Sequence, residues 1–168
     1  LHGFAGGAPF LEERAFVVRW LYQLGLDVAL FTLPFHARRG GERAPAWPSA
    51  DPVRTNEGFA QAIFDLRAFS RWLRTRKGAE EGRLAVCGMS LGGYTAALWA
   101  TIEPLDLVVP MIPAASLAEL IWAHGAGSAE RRRLEREGIS LAMLTDVMAV
   151  HSPLQRTPRV APAQALVL

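Results

Sequence analysis

Two spacings of apolar residues alternate along this chain. In residues 10–24, Phe16, Val17, Trp20, Leu21 and Leu24 fall three or four apart, the period of a helix with one buried face, and Gly25 supplies the stop signal. Residues 27–33, Asp27-Val28-Ala29-Leu30-Phe31-Thr32-Leu33, form an almost unbroken apolar run closed by Pro34, as expected of a strand covered on both faces. Residues 35–52 are rich in Arg, Gly and Pro and read as a loop. From Thr55 the helical period returns: Phe59, Ile63, Leu66, Phe69, Trp72 and Leu73 line one face of a long helix ending near Lys77-Gly78. Residues 83–88 predict a short strand, 91–101 a helix and 105–113 another buried strand.

Alternation of strand and helix predicts an α/β fold, a mostly parallel sheet with helices on both faces. Residues 114–152 break the rhythm with two or three helical stretches and no strand between them, so they read as a helical lid inserted over the sheet's edge. A last strand opens near Ala163. The chain begins at Leu1, directly before His2-Gly3, and stops inside Ala165-Leu166-Val167-Leu168. Both ends read as cut through strands. The expectation is therefore one partial domain, residues 1–168, whose inventory of catalytic groups is incomplete.

Composition changes this picture little. With 168 residues, 51% hydrophobic and 20% charged, the chain has the make-up of a globular domain, and its apolar runs are too short and too proline-broken to span a bilayer. The net charge of +2 comes from scattered arginines, Lys77 being the single lysine, so no basic stripe points to nucleic acid. The densest run, Arg131-Arg132-Arg133 with Arg136, is interleaved with Glu130, Glu135 and Glu137. It reads as a solvated helix face laced with ion pairs, the alternative being a binding site for an acidic substrate. One cysteine, Cys87, forms no internal disulfide and is in keeping with a cytoplasmic location. That cysteine reads as a small core side chain next to the chemistry, not as a second nucleophile.

The chemistry centres on Gly88-Met89-Ser90-Leu91-Gly92. Gly-x-Ser-x-Gly on its own is a weak signal; its setting between the apolar strand Leu84-Ala85-Val86-Cys87 and the helix Tyr94-Thr95-Ala96-Ala97-Leu98-Trp99-Ala100 makes it a nucleophile elbow. A serine that stands proud of a sheet needs a strained backbone, and its neighbours two positions away must lack bulk where strand and helix approach. Gly88 and Gly92 meet that need. The backbone amide of Leu91 is one expected oxyanion donor, and that of Phe4, or less so Ala5, in His2-Gly3-Phe4 is the other.

On these residues the chain resembles the α/β-hydrolase superfamily, of the esterase or acyl-hydrolase kind. The resemblance implies a Ser, then Asp or Glu, then His order for the triad, a small-molecule acyl substrate, and no metal or organic cofactor. It also places the family's acid just after the strand that residues 159–168 approach, so acid and base are expected beyond Leu168. Within the chain, His124 reads as a half-buried structural histidine of the lid, and His151 as a weaker candidate for the base. Asp106 stands at the wrong end of its strand, and Asp146 reads as a plain surface position. His2 reads as structural. His36 and Arg38 stand where a loop meets substrate or is merely held by hydrogen bonds. Trp47, Trp122 and Met143 line an acyl pocket or pack the lid. The function implied is hydrolysis of a carboxylic ester, thioester or amide through an acyl-enzyme on Ser90. Acyl transfer on the same fold, or a non-catalytic hydrolase-like domain, remain as alternatives. The chain alone is expected to be nearly inactive.

Overall fold

The computed structural model describes residues 1–41, 46–49, 51–76 and 82–168. At its centre two parallel strands, β1 (Ala85–Met89) and β2 (Leu107–Met111), pair in register from Ala85 opposite Leu107 to Met89 opposite Met111. The helix that connects them, α5 (Leu91–Ala100), packs on both strands and is buried at every position but Ala97. Its sequence, Leu-Gly-Gly-Tyr-Thr-Ala-Ala-Leu-Trp-Ala, has no charged residue to give it a wet face. The chain's ends extend the pairing on either side. The Leu1 backbone nitrogen donates to the Cys87 carbonyl (2.6 Å) and the Met89 amide to the Leu1 carbonyl (3.0 Å). Beside β2, the amides of Leu166 and Leu168 donate to the carbonyls of Val108 (3.0 Å) and Pro110 (3.1 Å).

Before the sheet come α1 (Pro9–Ala15), α2 (Val18–Gln23), α3 (Ala37–Gly40) and α4 (Pro52–Arg74). The last of these begins three residues before the expected Thr55, because Asp51 caps it: the Asp51 carboxylate accepts from the Arg54 amide at 3.1 Å and Pro52 takes the first helical position. Its buried face, Thr55, Gly58, Phe59, Ala62, Ile63, Leu66 and Ser70, keeps the helical spacing. Trp72, counted with that face in the sequence, is exposed: it stands two residues after buried Ser70, which turns it away from the buried face. The expected end at Lys77-Gly78 lies outside the described residues, as do residues 42–45 and 50 of the expected loop. The rest of that loop contributes α3 and Trp47, which is fully buried against Phe59.

The expectations for residues 10–24 and 27–33 are corrected. Residues 10–24 are not one helix: Val17, at φ 45°, separates α1 from α2, and Trp20, Tyr22 and Leu24 are exposed. Phe16, which caps α1, is the one residue of the predicted stripe drawn into the core, and the left-handed turn after it breaks the common face. Residues 27–33 form no ladder among the described residues; the stretch is anchored where the Leu33 amide donates to His2 Nε2 at 2.9 Å. Periodicity reports which residues are apolar, whereas a strand also needs a neighbour to share its backbone hydrogen bonds.

Residues 117–148 fold as α6 (Leu117–His124), α7 (Ala129–Arg136) and α8 (Leu141–Met148). Each opens on a serine, Ser116, Ser128 and Ser140, whose hydroxyl accepts from the amide three residues on. Tight 3-10 turns follow at Ala149–His151 and Pro153–Gln155. Instead of a strand opening near Ala163, Pro162–Gln164 makes a 3-10 turn and pairing starts at Ala165, opposite Val108. Among the described residues no helix is long and apolar enough to cross a membrane.

Candidate active site

Ser90 occupies the single residue between β1 and α5, at φ 52° and ψ −109°, a conformation that costs a side-chain-bearing residue about 1–3 kcal/mol. Its amide donates to the Met111 carbonyl of β2 and its carbonyl accepts from the Tyr94 amide, both at 2.9 Å, so the turn is held from both sides. A Cβ on Gly88 would overlap the Gly92 carbonyl, and one on Gly92 would overlap the Leu1 carbonyl. One on Gly93 would stand 2.9 Å from the Met111 carbonyl oxygen. Strand, helix and the opening residues of the chain thus close on one another through these glycines, with Ser90 half-buried between them. Leu91 is the first residue of α5; its amide belongs to the first helical turn, which has no acceptor within the helix and where negative charge is favoured.

The His2-Gly3-Phe4 segment passes beside this turn: a Cβ on Gly3 would lie 3.8 Å from that of Ser90. Histidines fix it. His2 Nε2 accepts from the Leu33 amide, so the proton sits on Nδ1, which donates to the Gly3 carbonyl at 2.8 Å. Burial lowers the His2 pKa, in keeping with this neutral tautomer. His36 is buried too, with Nδ1 2.8 Å from the Pro34 carbonyl and Nε2 2.5 Å from that of Phe4. It therefore holds the loop and does not face a substrate, while Arg38 is exposed.

Ser90, Leu91 and Phe4 open together onto a cavity of about 480 Å³. Its other walls are Tyr94 of α5, Pro48 and Ser49, and an apolar sector from α6 and α7 formed by Leu117, Leu120, Ile121, Trp122 and Leu134. Of the aromatic and methionine candidates, Trp122 alone lines this space; Trp47 is in the core, its indole N–H donating to the Thr55 carbonyl at 3.2 Å, and Met143 is exposed. Arg131, which the sequence grouped with a solvated run, is turned into the wall instead. Its guanidinium lies 3.1 Å from the centroid of the Trp122 ring, while Arg132 and Arg133 remain exposed. The missed signal was spacing: Arg131 and Leu134 stand three apart and share a helix face.

The other candidates are accounted for separately. His124 is exposed rather than half-buried; it sits at the cavity wall with Nδ1 3.1 Å from the Leu120 carbonyl of its own helix. His151 is buried, stacked on Phe59 at 4.3 Å, with Nδ1 2.9 Å from the Tyr94 hydroxyl and Nε2 without a partner among the described residues. Desolvation pushes its pKa down to about 4 and, in the same environment, raises that of Tyr94. Asp106 spends a carboxylate oxygen on the Leu84 amide (2.7 Å) at the opposite end of the sheet from Ser90, and Asp146 is exposed on α8. Cys87 is half-buried against Met111, and burial raises its thiol pKa, which disfavours the thiolate. Among the described residues no group of three or more His, Cys, Asp or Glu side chains is assembled to hold a metal ion.

Comparison with known proteins places this arrangement. Two uncharacterized proteins of Mycobacterium tuberculosis, one of strain CDC 1551 / Oshkosh and one of strain H37Rv, are each 32% identical to the chain over 165 residues. The match covers 95% of the chain and 38% of each relative, so the chain spans well under half their length. Residues 52–158, which include α4, the turn at Ser90 and α6 to α8, match the X-Pro dipeptidyl-peptidase (S15 family). That is a family of α/β-hydrolase-type serine peptidases, not of esterases as such. The chain belongs to the X-Pro dipeptidyl-peptidase (S15) family of serine hydrolases.

Proposed function

We propose that Ser90 is the nucleophile of this serine hydrolase and that it cleaves a carboxylic ester, thioester or amide through an acyl-enzyme. The observation that carries this reading is the backbone of Ser90, strained between β1 and α5 and enclosed by Gly88, Gly92 and Gly93. Ser90 Oγ bonds to the substrate carbonyl carbon as its proton passes to a base. The resulting oxyanion takes hydrogen bonds from the amides of Leu91 and Phe4, and the alcohol, thiol or amine departs with the proton. Water then attacks the acyl-serine and releases the acid. Helices α6 to α8 act as a lid over the acyl group.

The base and its acid come from a part of the protein outside this chain. His2, His36 and His151 are engaged with Gly3, Phe4 and Tyr94 respectively, and His124, at the cavity wall, has its Nδ1 turned to the Leu120 carbonyl of its own helix. The relatives have ample further sequence to supply both groups. Chain 1–168 on its own is then slower than the whole protein by about four to six orders of magnitude, as when triad members are removed.

The test is covalent labelling. The protein produced at the full length of its reading frame should react with a fluorophosphonate at Ser90, located by peptide mass mapping, and Ser90→Ala should abolish the adduct. Undiminished labelling of Ser90→Ala at a different residue overturns the assignment.

A further inference from the structure

The cavity beside Ser90 has an electrostatic character that the family name does not convey. Apart from His124 and Ser128 its walls on α6 and α7 are aliphatic and aromatic, and among its described lining residues Arg131 has the one side chain of fixed charge. That charge is held in place from three directions. Cζ sits over the Trp122 ring, Nη1 donates to the Trp122 carbonyl at 2.6 Å, and Nε donates to Glu135 at 3.0 Å. The Glu135 side chain is half-exposed and does not line the cavity, and no carboxylate does so among the described residues.

A dipeptidyl substrate brings a free α-ammonium. At this cavity, which is open to solvent on one side, an ammonium gives up part of its water, finds no carboxylate on the described walls, and meets the like charge of Arg131. An apolar acyl chain instead covers Leu120, Ile121 and Trp122 and releases the water over them. We propose that the cavity selects an apolar acyl group that carries no ammonium, and that Arg131 is the residue setting this preference. The proposal rests on Ser90 being the nucleophile. It separates the substrate class of this chain from the N-terminal dipeptides after which its family is described.

The experiment compares p-nitrophenyl heptanoate with p-nitrophenyl 6-aminohexanoate, which match in length and differ in a terminal methyl against a terminal ammonium. Nitrophenol release by the full-length protein gives kcat/KM for each, and the ratio is independent of the fraction of protein that is active. The wild-type ratio should favour heptanoate at least tenfold. Arg131→Glu should lower it by tenfold or more and Arg131→Gln by less, so a folding defect in one variant leaves the other to be read. Equal or better turnover of the ammonium ester by wild type overturns the proposal, as does a ratio unmoved in both variants. So does failure to turn over either ester by protein whose Ser90 labels with fluorophosphonate. Heptanoate hydrolysis that survives Ser90→Ala strikes instead at the assignment of the nucleophile.

Discussion

Gly92 and Leu91 are neighbours that contribute to the same turn in different ways. From the sequence, Leu91 matters through its amide and Gly92 through its lack of a side chain. In the fold the Leu91 side chain is also buried, at 5% exposure, so its truncation has a cost of its own. Leu91→Ala should lower stability by about 2–5 kcal/mol, the usual range for emptying a core leucine site, while leaving the amide where it is. Gly92→Ala adds one methyl, but that carbon would overlap the Leu1 carbonyl, and backbone next to Ser90 must move to admit it. The expected outcome is that Gly92→Ala lowers both the melting temperature and fluorophosphonate labelling per folded molecule, whereas Leu91→Ala lowers the first and largely keeps the second. Equal labelling by the two variants would show that the close approach at Gly92 does not shape the site.

Elements were legible where local chemistry specifies them and obscure where a partner does. The glycines around Ser90 announced a strand-to-helix junction because any side chain there collides with backbone, and β1, α5 and β2 fall within a residue or two of expectation. The break at Val17 gave no such signal: a β-branched residue in the left-handed region is the opposite of what local preference predicts. Residues 27–33 have the composition of a strand and find no pairing neighbour among the described residues. Arg131 was hidden inside a run of like residues, since which of three adjacent arginines turns inward depends on how α7 meets Trp122 of α6. Caps, being local, make the sharper prediction. Asp51 accepts from the Arg54 amide at the start of the 23-residue α4, whose buried face carries Phe59, Ile63 and Leu66. Asp51→Ala should cost about 1 kcal/mol in urea unfolding and Asp51→Asn only a few tenths, because asparagine caps nearly as well. Identical midpoints for Asp51→Ala and wild type would mean that the cap contributes nothing to stability.

At the scale of the whole molecule, one aromatic contact ties the pieces together. Phe59 of α4 packs on Tyr94 of α5 and stacks on His151, which follows α8, so the long helix, the sheet-covering helix and the end of the helical segment meet at a single buried imidazole. That imidazole stays neutral when folded, with its pKa depressed by desolvation to about 4 from the ordinary 6.5. Above pH 6.5 the ring is neutral folded and unfolded, and it gives stability no pH dependence. As pH falls from 6.5 toward 4 the unfolded chain takes up a proton there and the folded chain does not, so stability declines across this window and levels off below it. At about 1.4 kcal/mol per pH unit the loss reaches roughly 3 kcal/mol. His2, also lowered by burial, adds a loss of the same sign. For Glu103, burial acts to raise the pKa but the hydrogen bonds from Arg67 and Trp99 outweigh it, so the carboxyl is lowered overall and its contribution is lost at more acid pH, below the ordinary value of 4.5. His151→Gln keeps an acceptor for the Tyr94 hydroxyl and cannot titrate. It should therefore be less stable than wild type at pH 7.5 through its poorer fit on Phe59, yet lose distinctly less on going to pH 4.5, as read from urea midpoints at both pH values. If wild type and His151→Gln lose stability in parallel, His151 is not the buried neutral group that joins these three elements.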